Sequence, residues 1–212
     1  ISPSQVYAAA MARPFQGRLL RDWAGNLEQS RMQAITNAVR NGFVEGRTTA
    51  EIVQAIRGTR ANKYADGVLQ KPRREVEAVV RTAISHTAQI AQNDMIRAND
   101  DLIKAVKWSS TLDDRTTHIC AIRDGKLYTA DEKRRPIDHK IPWGEGPGRI
   151  HFCCRSAQVP VLKSWRDLGL DMDDMPAGTR ASMDGQVPAD QTYGQWLSKQ
   201  SLQRQEAVLG VE

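Results

Sequence analysis

The sequence contains few of the residues that build cross-linked or membrane-embedded proteins. It has only three cysteines in 212 residues, an odd number with two of them adjacent, which excludes a disulfide framework. A reducing compartment is therefore the better expectation. No stretch approaches the roughly 20 apolar residues of a membrane span. We also find no charged and then apolar secretory leader, and we expect neither a span nor a leader.

Basic residues only slightly outnumber acidic residues. The chain has 30 basic and 25 acidic residues, which gives a formal net charge of +5. A surplus of this size is compatible with contact to nucleic acid, and an ordinary solvated surface explains it equally well. A hydrophobic content of 40% is enough to bury a modest core in one or two small domains.

The first hundred residues show helical periodicity. Apolar residues recur at helical spacing over about 16–41, and Asn41-Gly42 and Gly46 supply the stop. Thr48 and Glu51 form a capping box that opens a second helix, which Gly58 ends. The two helices outline a helix–turn–helix, but the exposed face of the second is of mixed charge. Plain helix packing is therefore favoured over DNA recognition.

A third and longer helix is predicted from Arg73 to about Asn99, where small apolar residues line one face. Such a narrow stripe suits a partner helix, from this chain or from a second copy, so self-association is one expectation. His86 lies beside the stripe, and we expect a hydrogen-bonded structural histidine there.

The segment between the second and third helices is basic. A segment that follows a phosphate backbone has this composition, and so does a plain surface loop. The candidate nucleic-acid contacts are Arg60, Lys63, Lys71, Arg73 and Arg74.

The middle of the chain changes to a different pattern. Alternating side chains at 105–110 predict a strand. Either aspartate of 113–114 can cap a short helix that begins near Arg115. An Asp-Gly turn follows at 124–125, and residues 149–161 return as a strand. We expect a sheet of two or three strands packed on the long helix.

All three cysteines and two of the four histidines fall in this middle stretch. Thiols and imidazoles at the two ends of a loop are typical of a zinc site. The candidate metal ligands are His118, Cys120, His151 and Cys154. A histidine and a cysteine two residues apart share a side in a strand but not in a helix, so buried thiols beside a hydrogen-bonded histidine stay open as the alternative. A bound metal would be structural, since no glutamate stands beside an open position.

The stretch DDRTTHICAIRDGK and the later HFCCRS together resemble the phage Mu F-like family of minor head, or head-morphogenesis, proteins. The family's signature has an aspartate, an arginine and a threonine, then a cysteine, then Asp-Gly-Lys, and finally a histidine, a cysteine and an arginine. It falls on Asp113, Arg115, Thr116, Cys120, Asp124, Gly125, Lys126, His151, Cys154 and Arg155. Thr117 and Ser156 stand where some members carry cysteine, so a four-cysteine metal site is excluded here.

The resemblance implies a structural clamp between the two signature blocks. In that interpretation Arg155 holds a carboxylate, Asp113 or Asp124, in a bidentate pair, with Arg115 in the same clamp. A solvent-facing arginine is the alternative.

The resemblance also implies a role in building the head of a tailed phage. The implied partners are the portal protein, other head proteins and the packaged double-stranded DNA, with which the protein would be ejected. The implied location is the capsid interior near the portal, after assembly in the host cytoplasm. No catalytic residue is implied. Two other classes stay open: a metal-dependent nuclease of His/Cys type, and a DNA-binding module whose affinity falls steeply with salt.

After Val161 the chain becomes polar, which is typical of a linker. Asp190 or Thr192 can then cap a terminal helix whose Tyr193 and Trp196 dock on their own domain or, as the alternative, on another subunit. We therefore predict an α+β protein with a helical region over 1–104, a Cys/His-pinned sheet module over 105–163, and a linker with a docking helix over 164–212.

Overall fold

The computed structural model describes residues 25, 27, 29–68 and 73–210, without the side chains of 30 and 73–75. The fold class is α+β, as predicted, with helices and small antiparallel sheets. Contacts group the chain into two compact units. The helical unit runs to Met95 and includes Gly148–Cys154, and the sheet unit comprises Ile96–Pro147 and Arg155–Glu212. Both predicted segment boundaries, at residues 104 and 163, fall inside the sheet unit.

In its described residues the helical unit contains the helices α1 (Gln29–Val44), α2 (Thr49–Arg57) and most of α3 (Arg73–Ala98). The predicted capping box at the start of α2 is present, with Thr48 and Glu51 bonded reciprocally. The chain before residue 25, including most of the predicted helical pattern ahead of α1, lies outside the described residues. The core of the unit is the aliphatic cluster Ile35, Val39, Ile52, Val53, Ile56, Val76, Val79, Val80 and Ala83.

Segment 148–154 of the same unit lies on one face of α3. Thr82 Oγ1 accepts a hydrogen bond from the Cys153 amide at 3.0 Å, and Ser85 Oγ donates to the Cys154 carbonyl at 3.5 Å. A Cβ atom on Gly148 would lie 3.0 Å from Cγ of Gln89. Because Thr82, Ser85 and Gln89 are spaced at helical intervals, these contacts share one side of α3.

The sheet unit contains a four-stranded antiparallel sheet in the order β3-β2-β1-β4. Its strands are β1 (Ile103–Ser109), β2 (Leu127–Thr129), β3 (Pro136–Ile137) and β4 (Ala157–Leu162). The sheet has one strand more than the predicted maximum, because β3 is only two residues long and leaves no periodicity in the sequence. The returning strand was predicted from residue 149 and begins at Ala157, since residues 148–154 follow α3 instead.

The short helix α4 (His118–Ala121) starts later than predicted, with Thr117 as its N-cap. Neither aspartate at 113–114 caps it. The Asp113 carboxylate is instead occupied by Arg155, by Thr116 and by the Arg115 amide. These bonds hold residues 113–116 as a turn ahead of the helix.

The segment predicted as a linker contains a hairpin of β5 (Thr179–Ser182) and β6 (Gly185–Pro188). Its strands are short and largely exposed, so apolar alternation is lacking. The Asp184-Gly185 dipeptide was the sequence signal available for this hairpin. A parallel bridge joins Ser182 of the hairpin to Leu112.

The chain ends in two helices where one was predicted: α5 (Tyr193–Leu197) and α6 (Leu202–Leu209). Thr192 caps α5 in a capping box with Gln195. Tyr193, Trp196 and Leu197 pack with Leu112 of the same unit, as predicted for docking on their own domain. None of the helices in the described ranges is long and apolar enough to cross a membrane.

Candidate functional site

The Asp-Gly-Lys block places a carboxylate in the interior of the sheet unit. The Asp124 side chain is 0% exposed. Its Oδ1 accepts a hydrogen bond from the Ser110 amide at 2.6 Å, and its Oδ2 accepts one from the Tyr193 amide at 2.7 Å. Ser110 follows β1 and Tyr193 opens α5, so one carboxylate joins two elements more than 80 residues apart.

Arg180 of the hairpin neutralises this carboxylate. Its guanidinium lies 3.1 Å from both Asp124 oxygens and also donates to the carbonyls of Ser110 and Gln191. The Arg180 side chain is only 14% exposed. A buried ion pair of this kind is stable only when its remaining hydrogen-bond donors and acceptors are satisfied. Here two backbone amides donate to the carboxylate, and two backbone carbonyls accept from the guanidinium. Arg180 was missed in the sequence because its strand was taken for a linker.

Glycine is required beside this carboxylate. Gly125 has a φ of +76°. A Cβ atom there would lie 2.8 Å from Cγ2 of Thr192, the residue that caps α5. Both the left-handed backbone and the close approach exclude a side chain, so the Asp-Gly pair acts as one structural feature.

The predicted clamp is formed by Arg155 and Asp113. The two Nη atoms of Arg155 each donate to one oxygen of Asp113, at 2.8 Å for Nη2 and Oδ1. Partial burial raises the pKa of Asp113, but the hydrogen bonds and charge of Arg155, aided by Thr116, outweigh burial and lower it. Arg115 contributes its backbone amide to Asp113. Asp124, the other candidate partner of Arg155, binds Arg180 instead.

A buried serine adds a second link between the two blocks. Ser110 Oγ donates to the Cys120 carbonyl at 2.9 Å and lies 3.2 Å from Ser156 Oγ. It also accepts a hydrogen bond from Nε1 of the buried Trp108. The Ser156 hydroxyl is therefore part of this network.

The four predicted metal ligands are divided between the two units, with His151 and Cys154 in the helical unit and His118 and Cys120 in the sheet unit. Nδ1 of His151 is 2.8 Å from the Phe152 carbonyl, which can only accept, so Nε2 carries the lone pair. The Gly148 amide donates a hydrogen bond to Sγ of Cys154 at 3.3 Å.

His118 and Cys120 face different sides of α4. His118 is exposed at the first position of the helix, two residues before the buried Cys120, and a helix turns residues at that spacing to different sides. Cys153, which was not a predicted ligand, does not share the burial of Cys154. Its side chain is exposed, and its backbone amide is the part that binds α3.

His86 differs from the expected hydrogen-bonded histidine. It is buried in α3, and neither ring nitrogen has a hydrogen-bond partner within the described part of the chain. Burial, aided by the charge of Arg149, lowers the pKa of His86 to about 4. The ring is therefore neutral near pH 7 and serves as part of the helix packing.

The candidate nucleic-acid contacts are only partly visible. Arg60 and Lys63 are exposed in the loop that follows α2. Lys71 and the side chains of Arg73 and Arg74 lie outside what the structure describes. The predicted basic cluster therefore stays a prediction.

The two signature blocks lie within a stretch of the chain that matches a known family. The family model described as "Phage Mu protein F like protein" matches residues 33–159, more than half of the chain. The chain belongs to the phage Mu F-like family. Neither the curated proteins nor the solved structures that were searched gave a significant match.

Membership of the Mu F-like family confirms the resemblance seen in the two signature blocks. It indicates a phage head-morphogenesis protein, with head proteins as partners and with assembly in the host cell leading to the virion. The matched residues extend from α1 to β4 and include both blocks, whereas the hairpin with Arg180 and the two terminal helices follow the match.

The Asp124–Arg180 and Asp113–Arg155 ion pairs of the Mu F-like sheet unit predict different sensitivities to the same change. Asp124→Asn leaves the buried Arg180 without a counter-charge and should cost about 3–5 kcal/mol of unfolding free energy. Asp113→Asn acts on a pair whose Arg155 is 44% exposed and should cost about 1 kcal/mol or less. Urea unfolding followed by tryptophan fluorescence measures both, since four of the five tryptophans belong to the sheet unit. Equal losses in the two variants would contradict this ranking.

Proposed function

We propose that this chain is a minor head protein of a tailed phage with a structural and assembly role, and that it binds the portal inside the head. The proposal starts from the family, whose members belong to head morphogenesis. Portal binding, packaging beside the genome and ejection with it are the further steps that we propose.

One observation carries the proposal. The polar groups of the signature are bonded within the sheet unit: Asp124 to two amides and Arg180, and Asp113 to Arg155 and Thr116. A catalytic carboxylate needs free lone pairs that face a substrate. Asp124 is fully buried, with four donors around it, so its geometry supports a role in holding the module together.

The same reasoning favours a structural role over the nuclease alternative. The candidate metal ligands are thiols and imidazoles and include no carboxylate. Nuclease metal sites combine a metal with a general base and an open ligand position. We therefore propose that the protein is not an enzyme.

Contact with packaged DNA is a secondary part of the proposal. The net charge of +5 and the exposed Arg60 and Lys63 support a weak and salt-sensitive contact with phosphates. Such a contact would suit a protein that lies beside the genome and leaves the capsid with it.

Co-purification with the portal tests the proposed partner. The chain and the portal protein of the same phage are expressed together, and the portal ring is isolated in moderate salt. We expect the chain to elute with the ring, while an unrelated protein of net charge +5 does not. The purified chain should also leave plasmid DNA intact in Mg²⁺ or Zn²⁺. A portal ring that elutes alone would contradict the proposal, and so would DNA cleavage that His151→Ala abolishes.

We also propose that Cys120, His151 and Cys154 hold a structural zinc ion. Two thiols and an imidazole are ligands that zinc prefers. Nδ1 of His151 contacts the Phe152 carbonyl, which leaves Nε2 for a metal. Zinc bound here would add its binding free energy to folding. A fourth ligand would have to come from water or from a residue other than His118.

The adjacent cysteines supply a matched pair of variants for the zinc proposal. Cys154→Ser removes a buried candidate ligand, whereas Cys153→Ser removes an exposed thiol that is not a candidate. We expect zinc in the wild type and in Cys153→Ser by elemental analysis, and its loss in Cys154→Ser. A chelator should lower the Tm of the first two proteins only. Equal metal content in the two variants, or none in the wild type, would contradict the proposal.

A further inference from the structure

The sheet unit carries a loop whose apolar side chains point to solvent. In the loop of residues 164–175, which we call the acidic–apolar loop, Leu170 is 47% exposed, Met172 58% and Met175 81%. Trp165 and Leu168 are also exposed. Clusters of exposed large apolar residues mark interaction surfaces in soluble proteins. The same loop contains four aspartates and one arginine, so it is acidic in a chain whose net charge is positive.

The loop is held in shape by its own polar groups. Ser164 and Asp167 cap each other, with the Asp167 amide 3.0 Å from Ser164 Oγ. The Trp165 amide donates to Asp174 at 2.9 Å, and Arg166 pairs with Asp173 at 3.1 Å. Since these bonds close the loop on itself, its apolar side chains are presented without the entropic cost of ordering a free segment.

The helical unit carries a groove of complementary character. Two adjoining cavities of about 120 and 320 Å³ share Ala50 and Val53 of α2 as an apolar floor. Arg57, Arg60 and Tyr64 line the larger one. We call this feature the basic groove.

The rim of the basic groove is also ordered in advance. Asp66 accepts hydrogen bonds from the Thr59 amide and hydroxyl, both at 2.7 Å, which close the loop after α2. The Arg57 guanidinium lies 4.1 Å from the centre of the Tyr64 ring. The hydrogen bonds from Thr59 lower the pKa of Asp66 to about 2, and its charge is bound within the loop. Arg60 remains exposed at the mouth of the groove.

We propose that the acidic–apolar loop of one copy of this chain docks in the basic groove of a second copy. The volume of the groove suits methionine or leucine side chains over the Ala50 and Val53 floor. Aspartates of the loop, Asp171 above all, would meet Arg60 at the rim. Because each copy carries one loop and one groove, the contact is heterologous, so association can continue beyond a dimer. The small area of such a contact predicts a dissociation constant in the micromolar range.

Sedimentation velocity of the full chain over a micromolar concentration series tests the proposal. We expect concentration-dependent association that weakens as salt rises. The paired change Met172→Ser and Met175→Ser should weaken it at least about tenfold, which corresponds to the removal of two apolar contacts. Leu202→Ser, at a residue of α6 that is 70% exposed, is the matched control and should leave association unchanged.

Charge reversal identifies the occupant of the groove. Arg60→Asp and Asp171→Arg should each weaken association, and the two together should restore it. Neither side chain makes a hydrogen bond or an ion pair within the described residues, and circular dichroism with a thermal melt checks that each variant folds. A monomer at every concentration would overturn the proposal, as would association that survives the methionine changes. If each single variant loses association and the double variant does not recover it, the pairing of Asp171 with Arg60 is overturned. The groove is then overturned as the docking site.

Discussion

The fold of the sheet unit depends on one buried charge, the carboxylate of Asp124. An isolated carboxylate would be too costly to bury, and its charge becomes tolerable only through Arg180 and the amides of Ser110 and Tyr193. Those partners come from β5, from the end of β1 and from the first turn of α5. The Tyr193 amide is one of the donors that a helix leaves unpaired at its start, so the same carboxylate also satisfies the helix terminus. The sheet, the hairpin and the helix α5 therefore meet at this carboxylate.

This arrangement gives the family signature a physical meaning. The Asp-Gly pair combines a carboxylate with a left-handed turn that brings it against the cap of α5, and Arg155 ties the later block to Asp113. Ser110 joins the two blocks a second time through the Cys120 carbonyl and Ser156. A module held by such polar contacts can keep its shape with a small apolar core, which suits a head protein present as a compact part of a larger particle. The exposed loop and groove would then be the surfaces left for association.

Much of the architecture could be predicted from the sequence, because local rules decide it. The capping box at Thr48, the long helix from Arg73 and the strand near Trp108 follow from side-chain patterns within a few residues. The hairpin with Arg180 could not be predicted in this way, because its short polar strands show no periodicity and its role depends on a carboxylate 56 residues away. The position of His118 could be anticipated from helix geometry, whereas the choice of Arg155 between Asp113 and Asp124 depends on tertiary contacts. The placement of residues 148–154 along one side of α3 likewise depends on tertiary contacts.

Hydrogen exchange at the Ser110 and Tyr193 amides tests the central role of Asp124 most directly. Both amides donate to its carboxylate and lie outside regular strand pairing, so protection at these positions reports on the buried charge. The account predicts that the two amides exchange as slowly as those inside β1 and that they lose protection together when Arg180 is replaced by Gln. Exchange of either amide at the rate of exposed loop residues in the wild type would contradict it.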